Sequence, residues 1–154
     1  MQFNQKCVWM LGEILIQNGW VTWDQLEQAL TVQKENNRIL GEILIENRFV
    51  NRPTLYRALA AQYEMAFVEL SHFIPQPQAI KMVPKRIAYE YRIMPLVHRD
   101  ETLLVAISAP NAVWPEHAIV WHPNVSQIRT VLCCPEDIAT TLEHYYGPEG
   151  AAAA

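Results

Sequence analysis

Two stretches of this chain carry similar groups at the same spacing. Leu11-Gly12 is followed by Leu15, Gly19, Leu26 and Gln33, and Leu40-Gly41 by Leu44, Arg48, Leu55 and Gln62. A Gly at a helix start lets an anion such as phosphate approach free backbone N–H groups at the positive end of the helix dipole. Leu15, Leu26, Leu44 and Leu55 would then form an apolar bed for a ligand. The carboxamides of Gln33 and Gln62 can both donate to and accept from a polar ligand edge. Trp9 and Trp20 offer faces on which a base stacks, a contact worth roughly 1–3 kcal/mol in nucleic-acid sites. Simple packing is the competing account of the leucines and tryptophans, and a solvated helix end that of the glutamines. No Ser/His/Asp or Cys/His arrangement stands out, and no Gly-x-x-x-x-Gly-Lys-Ser/Thr loop occurs. The pattern reads as a binding surface, not a catalytic one.

The spacing is a true repeat. Shifted by 29 residues, the segment 10–33 matches 39–62 at 12 of 24 positions. Each copy is predicted to be a short helix, a turn and a longer helix. In the first, Asn18-Gly19 ends one helix, with Gly suited to a left-handed cap. Thr22 caps the next, with Gln25 placed for a capping box. In the second, Asn51 takes the cap and Pro53 sits in the first turn. Arg48 replaces Gly19, which predicts a differently built turn. Two such units are expected to pack about a pseudo-two-fold axis. That surface suits a two-fold ligand or partner; equally, duplication can simply have made a four-helix core.

After Tyr63 the pattern changes. Met65–Leu70 reads as a strand, Gln78–Met82 and Lys85–Tyr91 as helices, and Ile93–His98 and Leu103–Ile107 as strands joined by a charged turn at Arg99-Asp100-Glu101. His117–Trp121 reads as a short helix or irregular chain, Gln127–Cys133 as a further strand and the segment from Pro135 to Tyr146 as a last helix. The expected class is α+β. A four-helix subdomain (1–64) from a tandem helix-turn-helix repeat packs on a small α/β sandwich (65–147) with an antiparallel three-stranded sheet. Residues 148–154 read as an added tail.

Composition narrows the function. The chain has 154 residues, 51% of them apolar, and a net charge of −4. A grip on DNA or RNA through phosphates usually needs a basic excess, so neither is expected as a partner. Direct membrane insertion is not expected either, since no apolar run approaches the roughly 18–20 residues a span needs. The first six residues lack the apolar segment of a secretory signal. Three cysteines, Cys7, Cys133 and Cys134, form no framework, and Cys133-Cys134 reads as buried strand filler in a reducing, cytoplasmic setting. The five histidines lack metal-ligand spacing, so no metal is expected.

The repeat resembles the N-terminal MshEN domain of type II secretion and type IV pilus assembly ATPases. The family's 24-residue motif runs Arg-Leu-Gly, two aliphatics, a Gly with two apolar residues, then Leu, Leu and Gln, used twice with a five-residue spacer. Leu11, Gly12, Leu15, Ile16, Gly19, Val21, Leu26, Leu30 and Gln33 fit it, as do Leu40, Gly41, Leu44, Ile45, Phe49, Val50, Leu55, Leu59 and Gln62: nine of eleven specified positions in each copy. Phe67-Val68-Glu69-Leu70, Pro84-Lys85-Arg86, Met94-Pro95-Leu96 and Leu103-Leu104-Val105-Ala106 resemble later landmarks of the family. The resemblance implies a regulatory domain that binds cyclic di-GMP and is not itself an enzyme. It implies a cytoplasmic domain fused to or associated with an inner-membrane machine. That machine is a secretion or pilus ATPase, or a membrane glycosyltransferase of the bacteriophage adsorption protein B type. The alternative is a docking domain that no longer binds nucleotide.

The departures bear on the ligand. The family's leading Arg is Met10 in one copy and Ile39 in the other, its Gly is Arg48, Trp20 stands where an aliphatic or Phe is usual, and an expected Asp is Ala109. Arg38, one residue before Ile39, is the nearest replacement cation, and Lys6 and Trp9 stand similarly before the first motif. The implied ligand residues are therefore Trp9, Met10, Leu11, Gly12, Leu15, Gly19, Trp20, Leu26, Gln33, Arg38, Ile39, Leu40, Gly41, Leu44, Arg48, Leu55 and Gln62.

Overall fold

A computed structural model describes residues 5–110 and 123–150, with side chains from residue 10 onward. His117–Trp121 and the side chains of Lys6 and Trp9 lie outside what is described. The chain divides into two compact units between Glu64 and Met65.

The first unit holds four helices: α1 (Gln5–Gln17), α2 (Trp23–Asn36), α3 (Leu40–Glu46) and α4 (Arg52–Gln62). The caps arise as their chemistry requires. Thr22 and Gln25 form the reciprocal capping box of α2, and the Asn51 side chain accepts the Thr54 N–H at the start of α4. α1 packs along α4 and α2 along α3. Exchanging the repeats turns the first contact into the second, as a pseudo-two-fold pair must.

The core of this unit is built from repeat-equivalent pairs. Leu11 and Leu40, Leu15 and Leu44, Val21 and Val50, Leu26 and Leu55, and Ala29 and Ala58 are all buried together, with Ile43. Ile14, Ile16, Leu30, Ile45 and Leu59 pack around them. Most identities between the copies are thus demanded by burial, at roughly 1.5–3 kcal/mol for each large aliphatic side chain.

Two expectations for the repeat are corrected. The turn after α3 is built like the turn after α1. Gly19 has φ 71° and Arg48 φ 59°. In each turn the residue's own N–H donates to a carbonyl three residues back, Ile16 at 2.9 Å and Ile45 at 3.0 Å. In each, too, the preceding Asn side chain bonds the carbonyl four residues back, Asn18 to Ile14 and Asn47 to Ile43, both at 2.8 Å. These shared bonds hold Arg48 in a left-handed conformation that glycine adopts freely. Secondly, Gly12 does not stand at a helix start. α1 begins at Gln5, so Gly12 lies well inside it, whereas Gly41 is in the first turn of α3 after Ile39.

The second unit contains a 3-10 turn (Leu70–His72), α5 (Pro77–Met82), α6 (Lys85–Tyr91), β1 (Ile93–Arg99), β2 (Thr102–Ile107), β3 (Gln127–Leu132) and α7 (Pro135–Tyr146). The charged turn joins β1 and β2 as a hairpin, with φ 50° at Asp100 and 62° at Glu101. Leu96 forms a bulge in β1, and its carbonyl accepts the Gln76 N–H at 2.8 Å.

The sheet is mixed rather than antiparallel. The order is β1-β2-β3, with β1 antiparallel and β3 parallel to β2. The connection from Ser108 to Ser126 is long enough to return the chain to the start of β2, as a parallel neighbour requires. Met65–Leu70 is not a full strand. Phe67 makes a single parallel bridge to Leu132, flanked by Leu132 N–H to Ala66 O at 2.8 Å and Val68 N–H to Leu132 O at 2.9 Å. Glu64, at φ 54°, turns the chain just before that segment, and the 3-10 turn from Leu70 ends it. Cys133 and Cys134 are buried after β3 and not disulfide-bonded, and burial pushes the Cys133 thiol up.

Candidate functional site

The residues singled out for ligand binding separate into a buried and an exposed set. Leu11, Leu15, Leu26, Leu40, Leu44 and Leu55 are each at most 7% exposed. They form the core beneath the surface, not an open apolar bed. Their spacing was legible in the sequence; their depth was not, because a helical stripe looks the same whether it meets a partner helix or a ligand.

Gly12 and Gly41 are buried as well, and packing accounts for both. A Cβ at Gly12 would lie 3.0 Å from Leu26 Cδ2, and one at Gly41 2.8 Å from Leu55 Cδ2. In each repeat the leucine of the second helix rests on the glycine of the first. The face of each glycine that a Cβ would fill is thus taken by a leucine, not left open to phosphate.

Met10 and Ile39 are exposed at equivalent places, at 41% and 46%. Gly19 and Arg48 are exposed at the two turns. Trp20 is 36% exposed, and Trp23, which the sequence reading passed over, is 63% exposed at the start of α2. Gln33 lies in the last turn of α2 and Gln62 ends α4, both half-buried. They and the exposed acids Glu13 and Glu42 are the repeat identities that neither core nor turn explains. Glu13 and Glu42 recur one residue after each motif glycine, a signal present in the sequence and not used.

Arg38 is engaged. Its Nη2 donates to Glu46 Oε1 at 2.5 Å. The hydrogen bond Arg38 donates to Glu46, with that carboxylate's charge, raises the guanidinium above its ordinary value, and the same bond lowers the Glu46 carboxyl. That bond uses one of the five guanidinium donors, and the Glu46 carboxylate offsets the charge of Arg38. Arg48 makes no ion pair or side-chain hydrogen bond among the described residues.

In the second unit, Ala109 lines a cavity of about 210 Å³ with Glu90, Tyr91, Arg92, Ile93, Ile107 and Ser108. That is below the roughly 300–1,000 Å³ of ordinary small-molecule sites. Among the described residues no group of three or more His, Cys, Asp or Glu could hold a metal ion, and no helix is long and apolar enough to cross a membrane.

The MshEN domain profile matches residues 63–152, more than half of the chain and almost all of the second unit. The chain belongs to the MshEN domain family. The repeat lies outside that match, and solved structures cover it. The structure of MshE with cdg superposes with a TM-score of 0.70 at 28% identity, over 88% of this chain and 98% of that one. The N-terminal domain of XpsE shares the fold, with a TM-score of 0.59 at 16% identity over 96% of this chain and 100% of that one. The type IV pilus assembly ATPase PilB of Myxococcus xanthus is 26% identical over 140 residues, 91% of this chain. The chain spans 25% of that relative's length. As an MshEN domain, it is similar to a quarter of a type IV pilus assembly ATPase and shares the fold of the N-terminal domain of XpsE.

Proposed function

We propose that this MshEN domain is a regulatory module that binds one molecule of cyclic di-GMP across its two repeats and so controls a secretion or pilus ATPase machine. The observation that supports it most is the repeat itself. Its helix contacts exchange under a pseudo-two-fold operation, and a solved relative, MshE with cdg, matches nearly the whole fold. Read this way, Met10, Gly19, Trp20, Ile39 and Arg48 meet the ligand at the surface. Gln33 and Gln62 offer amide edges, while Trp9 and Arg38 stand beside the two motif starts. The buried leucines and glycines, Leu11, Gly12, Leu15, Leu26, Leu40, Gly41, Leu44 and Leu55, hold the two arms in register beneath it. No metal takes part.

On this reading the domain works in the cytoplasm beside an inner-membrane complex. A pilus or secretion ATPase is the attached machine that the relatives support. A membrane glycosyltransferase is the other carrier that the divergent motifs suggest.

The second reading is docking on a partner protein without nucleotide. It is favoured by the exposed apolar Met10 and Ile39, where the family carries arginines. Calorimetric titration with cyclic di-GMP, with GTP and ATP as controls, separates the two readings. One ligand per chain is expected for the first. Two per chain, or no heat above the GTP control, would contradict it.

A further inference from the structure

The two arms of the repeat share a backbone but not a surface. Where the first presents Gly19, Trp20 and Trp23, the second presents Arg48, Phe49 and Arg52. One arm offers exposed indoles and no cation within its turn. The other places a guanidinium on that same turn.

Arg48 stands out among the cations of this unit. Arg38 is held by Glu46, and Arg52 and Arg57 also have partners. Lys34 is exposed but falls one residue past the motif's closing Gln33. Arg48 lies inside the motif, exposed and unpaired among the described residues. It is held at φ 59°, where the other copy uses glycine. A Cβ added at Gly19 would meet nothing within 4 Å, so the equivalent turn has room for a side chain pointing outward. A bulky residue kept in a left-handed conformation that glycine would fill without strain invites a functional reason.

From these observations we infer that Arg48 is the cation of the ligand site. It holds one phosphate of the dinucleotide from the second arm, while Trp20 on the first arm stacks a base. The inference rests on the cyclic di-GMP reading above and assigns the charge within that site. A guanidinium pairs with two phosphate oxygens at once, which an ammonium cannot copy. The two halves of a two-fold ligand are then held by unlike forces, one ionic and one by stacking.

The test is titration of cyclic di-GMP into the whole chain at low and high salt, for the wild type and for Arg48→Gly, Arg48→Lys and Arg99→Ala. Circular dichroism confirms that each variant is folded. Arg48→Gly is expected to weaken binding at least tenfold and to flatten its salt dependence. Arg48→Lys should keep the salt dependence with reduced affinity, and Arg99→Ala, in the exposed hairpin of the second unit, should bind within threefold of wild type. Wild-type affinity and salt dependence in Arg48→Gly would overturn the assignment while leaving the cyclic di-GMP reading intact. No binding by the folded wild type would overturn that reading and the role of Arg48 with it.

Discussion

Arg48 occupies the turn position in the second repeat that Gly19 occupies in the first, with φ 59° against 71° and equivalent hydrogen bonds. A left-handed conformation costs a non-glycine residue roughly 1–2 kcal/mol, and the greater unfolded-state entropy of glycine offsets part of that. Arg48→Gly is therefore expected to stabilise the domain by about 0.5–1 kcal/mol. Thermal or urea unfolding measures it. A lower midpoint would mean that the arginine side chain stabilises the turn by more than its backbone costs.

The Gly41–Leu55 contact is the tightest test of how the repeats pack. Overpacking a filled core typically costs about 1–3 kcal/mol. Gly41→Val should fall in that range and exceed Gly12→Val, because its Cβ would meet leucine at 2.8 Å rather than 3.0 Å. Leu55→Ala should cost less in the Gly41→Val background than in wild type, since each change makes room for the other. Additive effects in urea melts would show that valine is accommodated elsewhere.

Glu46 reports on Arg38. The adjacent guanidinium stabilises the carboxylate, so the Glu46 carboxyl titrates below its ordinary value. A carboxyl lowered on folding adds stability above its unfolded value, and that contribution is lost as pH falls through the folded value. Both side chains are largely solvated, so the effect on stability is small. Removing Arg38 should raise the midpoint of Glu46 toward the ordinary range, as followed by the carboxyl carbon shift in NMR. An unchanged midpoint in Arg38→Ala would show that the pair does not persist in solution.

In the second unit, the Tyr146 hydroxyl lies 3.0 Å from the Ile80 carbonyl and 2.9 Å from that of Val83, at the end of α5. Losing the donor leaves the Val83 carbonyl without that bond, at about 1–3 kcal/mol, while the Ile80 carbonyl still accepts the Val83 N–H at 3.3 Å. Tyr146→Phe should destabilise the chain by that amount, most visibly as faster amide exchange in α5 and α7. Wild-type exchange there would contradict the role.

The fold was legible where local chemistry fixes it. Thr22 with Gln25, Asn51, and the charged turn at Asp100 and Glu101 act through neighbours in the chain, and their elements formed as the spacing required. The direction of β3 was not legible, since it depends on where a long connection returns rather than on the residues of the strand. Nor was the shortness of the pairing in Met65–Leu70, which makes a single bridge at Phe67 before the 3-10 turn at Leu70. At the site, residue types and repeat spacing led to the right pairs, Leu15 with Leu44 and Gly12 with Gly41. They did not reveal that the leucines are buried in one core, or that Leu26 covers Gly12 and Leu55 covers Gly41. The partnership of Arg38 with Glu46 spans eight residues and one helix, and only the folded chain displays it.

Calorimetric titration of the whole chain with cyclic di-GMP, against GTP and ATP, bears most directly on the central claim that the two repeats form one dinucleotide site. Saturable binding at one ligand per chain, well above both controls, is the expected result. A folded chain that takes up two ligands, or gives no more heat than GTP, would contradict it.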